Sequence, residues 1–297
     1  MESTEPVDYE RRQVVDLPVV KLEVVERCAA GLATTEEAIE ERLRATPVAH
    51  FDETGFHIEG KRYWLHLAST EGLTCYGWHT KRGKEATDTL GILPRFEGRA
   101  VHDGWGSYFQ YGCDHALCNA HHPRELTFVQ EQDGQSWAGD MKELLLEVKA
   151  RVEQAKAAGA EDLNEATRRE FEVRYQRILA QGMAATPPLE PRPPGKRGRR
   201  KQSKAKNLLD RLAAHQQSVL AFMEDFRVPF DNNLAERDLR MVKVQQKISG
   251  CFRSGDGATA FCRIRGYIST VRKQRHDVLA AIEHVFAGSP FVPSRAG

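Results

Sequence analysis

VAHFDETGFHIEGKRYWLHLASTEGLTCYGWHT, residues 48–80, holds three runs rich in β-branched and aromatic side chains. The runs at 48–54, 63–69 and 73–80 are separated by residues 55–61 and by Glu71-Gly72. Such spacing predicts three successive antiparallel strands. Working outward, residues 84–93 have helical composition and stop at Pro94, and residues 99–102 form another short apolar run that ends in Asp103-Gly104. A further strand is expected at 115–118, after a turn around Gly112. Strand, strand, strand, helix, strand, short helix, strand is an α/β order.

Beyond Pro123 the composition turns helical, with runs at 124–129, 136–158 and 163–181 rich in Ala, Leu, Glu, Lys and Arg. TPPLEPRPPGKRGRRKQSKAK, residues 186–206, combines five prolines with a dense basic run and cannot be a packed core element. It is expected to be a linker or an arm touching nucleic acid. Helical pattern resumes at 207–226, stops near Pro229 and restarts after Asp231-Asn232, both good N-cap residues. The chain therefore divides into an acidic segment (1–47), the first part of an α/β core (48–130), a helical region containing the basic linker (131–228) and a closing helical part of the core (229–297).

With 297 residues, 40% hydrophobic and 29% charged, the chain has the composition of a globular protein, and no apolar run approaches the roughly 20 residues of a membrane span. The first ten residues are acidic and polar, unlike a signal peptide, so a cytoplasmic location is expected. Six scattered cysteines then read as reduced thiols. A net charge of +1 hides an asymmetry: residues 1–47 hold eleven acids against six bases, whereas residues 240–275 hold nine Lys/Arg and one acid, Asp256. The basic segment can neutralise phosphates, or be a solvated helix surface.

Two acids stand where the chemistry could sit. Asp52 in HFDETG closes an apolar run, and an unpaired carboxylate in such a position costs several kcal/mol unless a donor, cation or metal meets it. A turn-capping Asp is the ordinary alternative. Asp103 in AVHDGWGSY also ends an apolar strand, on the face of Val101 by period-two alternation. If the two strands are parallel neighbours, the carboxylates meet at one edge, and like charges held close call for bridging divalent cations. Oxygen-only ligands point to Mg²⁺ or Mn²⁺, two ions by the usual pairing, rather than zinc. A third acid must come from elsewhere. At 100° per residue, Leu234, Leu239, Met241 and Val242 share one helix face and Glu236, Arg240 and Lys243 the other. An exposed Glu236–Arg240 ion pair is the competing reading, and spacing leaves Glu236, Asp231 and Asp238 open.

HFDETG, VHDGWGSY and PFDNNLAERDLRMVKVQQKISG (229–250) resemble the three catalytic motifs of transposases of the insertion sequence 66 family, over a span from about Cys28 onward. The resemblance implies an RNase H-like mixed sheet with a helical insertion between the second and third acids. It implies a DDE triad at Asp52, Asp103 and Glu236, two bound Mg²⁺ (or Mn²⁺) ions, and phosphoryl transfer on DNA. Its implied partners are transposon-end and target DNA, further copies of the chain on that DNA, and accessory proteins of the same element; a nucleoid-associated location follows. DNA contacts are expected from Arg124, Arg240, Lys243, Lys247 and Arg253, and from Arg197, Arg199 and Arg200 in the linker.

CDHALCNAHHPREL (113–126) crowds Cys113, His115, Cys118, His121 and His122 together. It lacks a Cys-x2-Cys pair, and a strand followed by a helix should spread the side chains, so zinc is not expected. Cys118 and His121 resemble the Cys-x2-His motif that several DDE groups carry after the second acid, and are expected to support the metal site. Trp105 and Tyr108 are candidates for stacking on frayed bases, or for core packing. The chain departs from the family at its start: residues 11–26 look like the lead-in to a zinc-binding cysteine cluster that does not follow. An internal deletion joining the pieces near residues 25–27, with loss of part of the DNA-recognition region, is the expectation.

Overall fold

The computed structural model describes residues 17–186 and 202–293. Two helices, α1 (Leu17–Gly31) and α2 (Ala33–Arg44), lead into β1 (Val48–Ile58), β2 (Lys61–Ser69) and β3 (Thr74–His79). Then come α3 (Lys84–Leu90), β4 (Arg99–His102) and β5 (Asp114–Leu117), followed by α4 (His122–Asp133), α5 (Ser136–Ala157), α6 (Glu165–Ala185), α7 (Lys204–Ala214), α8 (Gln216–Glu224), α9 (Asn233–Ser249), α10 (Gly255–Lys273) and α11 (Val278–Phe286). The five strands form one mixed sheet in the order β3-β2-β1-β4-β5. β1, β2 and β3 pair antiparallel as a meander, while β4 and β5 run parallel to β1. This α/β topology is compatible with the RNase H-like arrangement the sequence implies. Among the described residues no helix is long and apolar enough to cross a membrane.

β1 does not end at Thr54, where the first run was expected to stop, but continues to Ile58. The reversal falls instead at Glu59-Gly60, both with positive φ (51° and 75°), where Ile58 pairs with Lys61. Two consecutive left-handed residues are what a two-residue hairpin loop needs to match strand twist. The extension is held by packing. Phe56 and Ile58, on the Asp52 face, bury with Leu65 and Leu67 of β2 against Ala235, Leu239 and Val242 of α9. A fully buried Phe contributes about 1.5–3 kcal/mol, more than the propensity lost by running a strand through Gly55. The opposite face carries Ala49 and Phe51, which pack with Ile39 and Leu43 of α2 and with Phe96.

Helices α4 to α8 gather around their own core, built on Trp137, Met141, Leu145, Tyr175, Leu209 and Phe222 and joined to the sheet through Val101, Ala116 and Leu117. The single helix expected at 207–226 is two, α7 and α8, broken at His215, whose ring stacks on Phe109 at 3.9 Å. Likewise α3 stops at Leu90, capped by Gly91 in the left-handed conformation, and the remainder of that apolar run forms a 3-10 turn, Leu93–Arg95. The expected junction near residues 25–27 lies inside α1.

Candidate active site

The parallel pairing of β1 and β4 sets the geometry. Val48 pairs with Arg99, Ala49 with Ala100 and His50 with Val101. Carried two residues on, the same register brings Asp52 level with Asp103, on the first residue past the end of β4. Asp52 therefore lies at the fork where β4 stops and β1 runs on with β2 alone. Each carboxylate is oriented by a backbone donor: the Glu53 amide donates to Asp52 Oδ1 at 2.8 Å, and the Trp105 amide to Asp103 Oδ1 at 2.9 Å. Gly104, with φ of 86°, makes the turn that lets the second contact form.

Glu236 sits on the first turn of α9, and three anchors fix that helix against the sheet. Asn232, 2% exposed, sits just before it. Its Oδ1 meets His50 Nδ1 at 2.7 Å, its Nδ2 donates to the Phe51 carbonyl at 3.0 Å, and its own amide donates to Cys118 Sγ at 3.2 Å. Asn232 holds the N-cap position without capping through its side chain; that side chain is spent on β1. Asp231 instead accepts from the Asn233 amide. Along the helix, Asp238 pairs with Lys273 at 2.7 Å and accepts from Ser69 Oγ at 2.6 Å, both in a largely buried setting. Ala235, wholly buried, allows close approach to the sheet; Met241, expected on the inner face, is exposed because the packed face centres on Ala235, Leu239 and Val242.

Of the three acids that spacing left open, Asp238 is thus bound into an ion pair and Asp231 into a turn. Glu236 is exposed on the first turn of α9, and it forms no ion pair with Arg240 or any other described residue. The charges of Asp103 and Glu236 both reach Asp52. Burial first, then the charges of Glu53, Asp103 and Glu236, push the Asp52 carboxyl up to about 7 despite the hydrogen bond from the Glu53 amide. A carboxyl so placed releases its proton near neutrality unless a cation arrives.

Glu53 points to the other face of the sheet and is neutralised there. Arg82 meets it at 2.6 Å and Tyr108 Oη donates to it. Tyr108 is buried and stacks on His102, so it is a core residue and no platform for a base. Trp105 is half-buried with the Arg82 guanidinium 4.1 Å from its ring centroid.

The Cys/His cluster splits. Cys113 joins the α2-side core, His115 bonds His102 at 3.0 Å, and buried His122 bonds Asn119 at 2.9 Å. Cys118 and His121, the pair singled out as a Cys-x2-His motif, stay together while the rest of the cluster is spread. A tight turn at Asn119-Ala120 brings them to one side, and their ligand atoms and one Glu236 oxygen all lie within 4.8 Å of one another. Burial pushes the Cys118 thiol up to about 11.

Arg240, Lys243 and Lys247 follow Glu236 at spacings of four, three and four along the exposed face of α9, and Arg253 lies just beyond. None of the four forms an ion pair with a described residue. Arg124 is exposed and lines a groove of about 460 Å³ with Phe128, Lys204 and Arg211. Arg197, Arg199 and Arg200 lie outside the described residues. Asn232, Glu53 with Arg82, and Asp238 with Lys273 were not singled out by sequence as a positioning set. The DNN doublet was a visible signal, but its local reading as a helix cap conceals bonds that span some 180 residues.

The profile of the family described as Transposase IS66 family matches residues 19–260. Comparison with curated proteins finds no match.

Proposed function

Because the chain belongs to the IS66 transposase family, we propose that it catalyses divalent-metal-dependent cleavage and strand transfer at the ends of an insertion sequence, with Asp52, Asp103 and Glu236 as its DDE triad on an RNase H-like core. The observation that carries this reading is the register that sets Asp52 level with Asp103 at the ends of adjacent parallel strands, with Glu236 near enough for its charge to act on Asp52. None of the three forms an ion pair with a described residue. The donor set is oxygen-only, which suits Mg²⁺ or Mn²⁺. Two such ions, when bound, supply the acidity that activates a water or a DNA 3′-hydroxyl and stabilise the leaving oxygen of an in-line displacement.

The chain's own part is to hold and orient. The amides of Glu53 and Trp105 fix one oxygen of each Asp and leave the other free. Asn232 sets the pitch of α9, and Asp238 locks the helix by its pair with Lys273, so Glu236 approaches on a rigid element. Arg240, Lys243, Lys247 and Arg253 hold phosphates of transposon-end or target DNA, with Arg124 and the linker arginines extending that track. Helices α4 to α8 are the insertion between the second and third acids. Assembly of several copies on paired ends, accessory proteins of the element and a nucleoid-associated location belong to the same reading.

A non-catalytic DNA-binding remnant, able to interact with an intact transposase, is the second reading. The exposed cations of α9, which form no ion pair with a described residue, favour it. Nicking of duplex carrying the element's ends separates the two. Mg²⁺-dependent product from the wild-type chain and none from Asp52→Ala is expected; equal product from both overturns the catalytic reading.

A further inference from the structure

Cys118, His121 and Glu236 have no assigned chemistry as a group, and their ligand atoms lie within 4.8 Å of one another. A tetrahedral zinc ion sets sulfur, nitrogen and oxygen ligands about 3.4–3.6 Å apart, so closure by roughly an ångström completes such a site. Two of the three can move to achieve it: His121 and Glu236 are exposed, whereas Cys118 is buried at the end of β5.

The sulfur is prepared independently of the other two. Its Sγ accepts from the Asn232 amide at 3.2 Å and also from the Ala120 amide. Two peptide N–H groups aimed at one sulfur favour the thiolate that binds metal and offset part of the burial that raises this thiol. The sequence Cys-x2-His in a tight turn, with a carboxylate delivered from another element, is also the softer kind of donor set that selects a transition metal over Mg²⁺.

We propose that Cys118, His121 and Glu236 form a second metal site, for a thiophilic divalent cation such as Zn²⁺, which takes Glu236 away from the carboxylate site and so opposes Mg²⁺ there. Binding replaces the Cys118 thiol proton, which leaves to solvent, by a sulfur–metal bond, and a fourth position stays open. The competition rests on the reading of Glu236 as the third acid; the site itself does not.

Co²⁺ is the probe for the site, titrated into a chain carrying Cys251→Ser so that the exposed thiol of Cys251 is removed. One equivalent is expected to give thiolate-to-cobalt charge-transfer absorption, displaced by Zn²⁺. In the same background Cys118→Ser abolishes the band. His121→Ala, at an exposed position that folding does not need, weakens binding by about tenfold or more. Asp52→Asn leaves both band and affinity in place. A band that survives Cys118→Ser, an absence of any binding, or loss of binding in Asp52→Asn overturns the site. For the competition, Zn²⁺ is added to the Mg²⁺-dependent nicking reaction: inhibition that His121→Ala relieves is expected, and equal inhibition of both chains overturns it. A chain that never nicks defeats the transposase reading, while the cobalt spectrum still decides the metal site.

Discussion

Asp52 and Glu53 are neighbours on β1, and Glu236 and Asp238 are two residues apart on α9, yet each pair divides between two regions of opposite character. Glu53 is enclosed with Arg82 and Tyr108, and Asp238 with Lys273 and Ser69. These acids arrive with their counter-charges and hold the sheet to its helices. Asp52 lies level with Asp103 where β4 ends, feels the charge of Glu236, and none of the three forms an ion pair with a described residue. An acid buried for structure is neutralised within the fold, because leaving it unpaired costs several kcal/mol. Asp52, largely buried without such a partner, puts that cost on the protein until something from outside meets it. The contrast separates scaffold from site more sharply than the residue types do.

Substituting one charged residue in each region tests the contrast most strongly. Glu236→Gln is expected to cut DNA nicking by about a thousandfold or more, the equivalent of about 4 kcal/mol of transition-state stabilisation, with little change in thermal unfolding. Lys273→Ala should do the reverse first, lowering stability by about 3 kcal/mol because it leaves Asp238 buried without its partner; urea unfolding measures this. Equal stability losses in the two variants would erase the distinction between the regions.

The pH dependence of stability sharpens it further. The Asp52 carboxyl titrates at about 7 in the metal-free fold and near 3.8 when unfolded. Its protonated form therefore favours folding fully below about pH 4, and that contribution is lost as pH rises through about 7. Asp52→Asn keeps a neutral side chain throughout. It should match the wild type at pH 4 and exceed it at pH 8 by on the order of 2 kcal/mol, after allowing for solvent reaching the half-buried carboxyl. Denaturant unfolding without metal, at both pH values, measures the difference. An advantage over the wild type no larger at pH 8 than at pH 4 would remove the electrostatic stress inferred at the fork.

The smallest expected effect lies along α9. Lys243→Ala or Lys247→Ala should weaken binding to any duplex by a similar factor and lower the slope of log affinity against log salt by about one each. An unchanged slope would make this face a solvated surface with no phosphate on it.

Much of the sheet was legible because strand runs and turn residues are local signals. The pairing of Asp52 with Asp103 followed from alternation once β1 and β4 were neighbours. The length of β1 was not legible: Gly55 reads as a break, and only the packing of Phe56 and Ile58 against α9 carries the strand through it. The inner face of α9 was misread at Met241 for a related reason, since side-chain hydrophobicity ranks Met above Ala, whereas close helix-to-sheet contact requires the small residue at 235. Least legible was what aims Glu236. Asn232 bonds to residues 181 and 182 positions away, and nothing in the local composition around it reports those bonds. The same applies to the approach of Glu236 to Cys118 and His121, a pair that the sequence grouped as one motif but whose carboxylate neighbour comes from a helix more than 100 residues on.

Mn²⁺ binding followed by electron paramagnetic resonance tests the acid fork most directly. Loss of free Mn²⁺ signal on adding the wild-type chain is expected, with the signal restored by Asp52→Asn, Asp103→Asn or Glu236→Gln and unaffected by Asp238→Asn in chain that remains folded. Mn²⁺ held equally well by the wild type and by Asp52→Asn would contradict a metal site shared among these three acids.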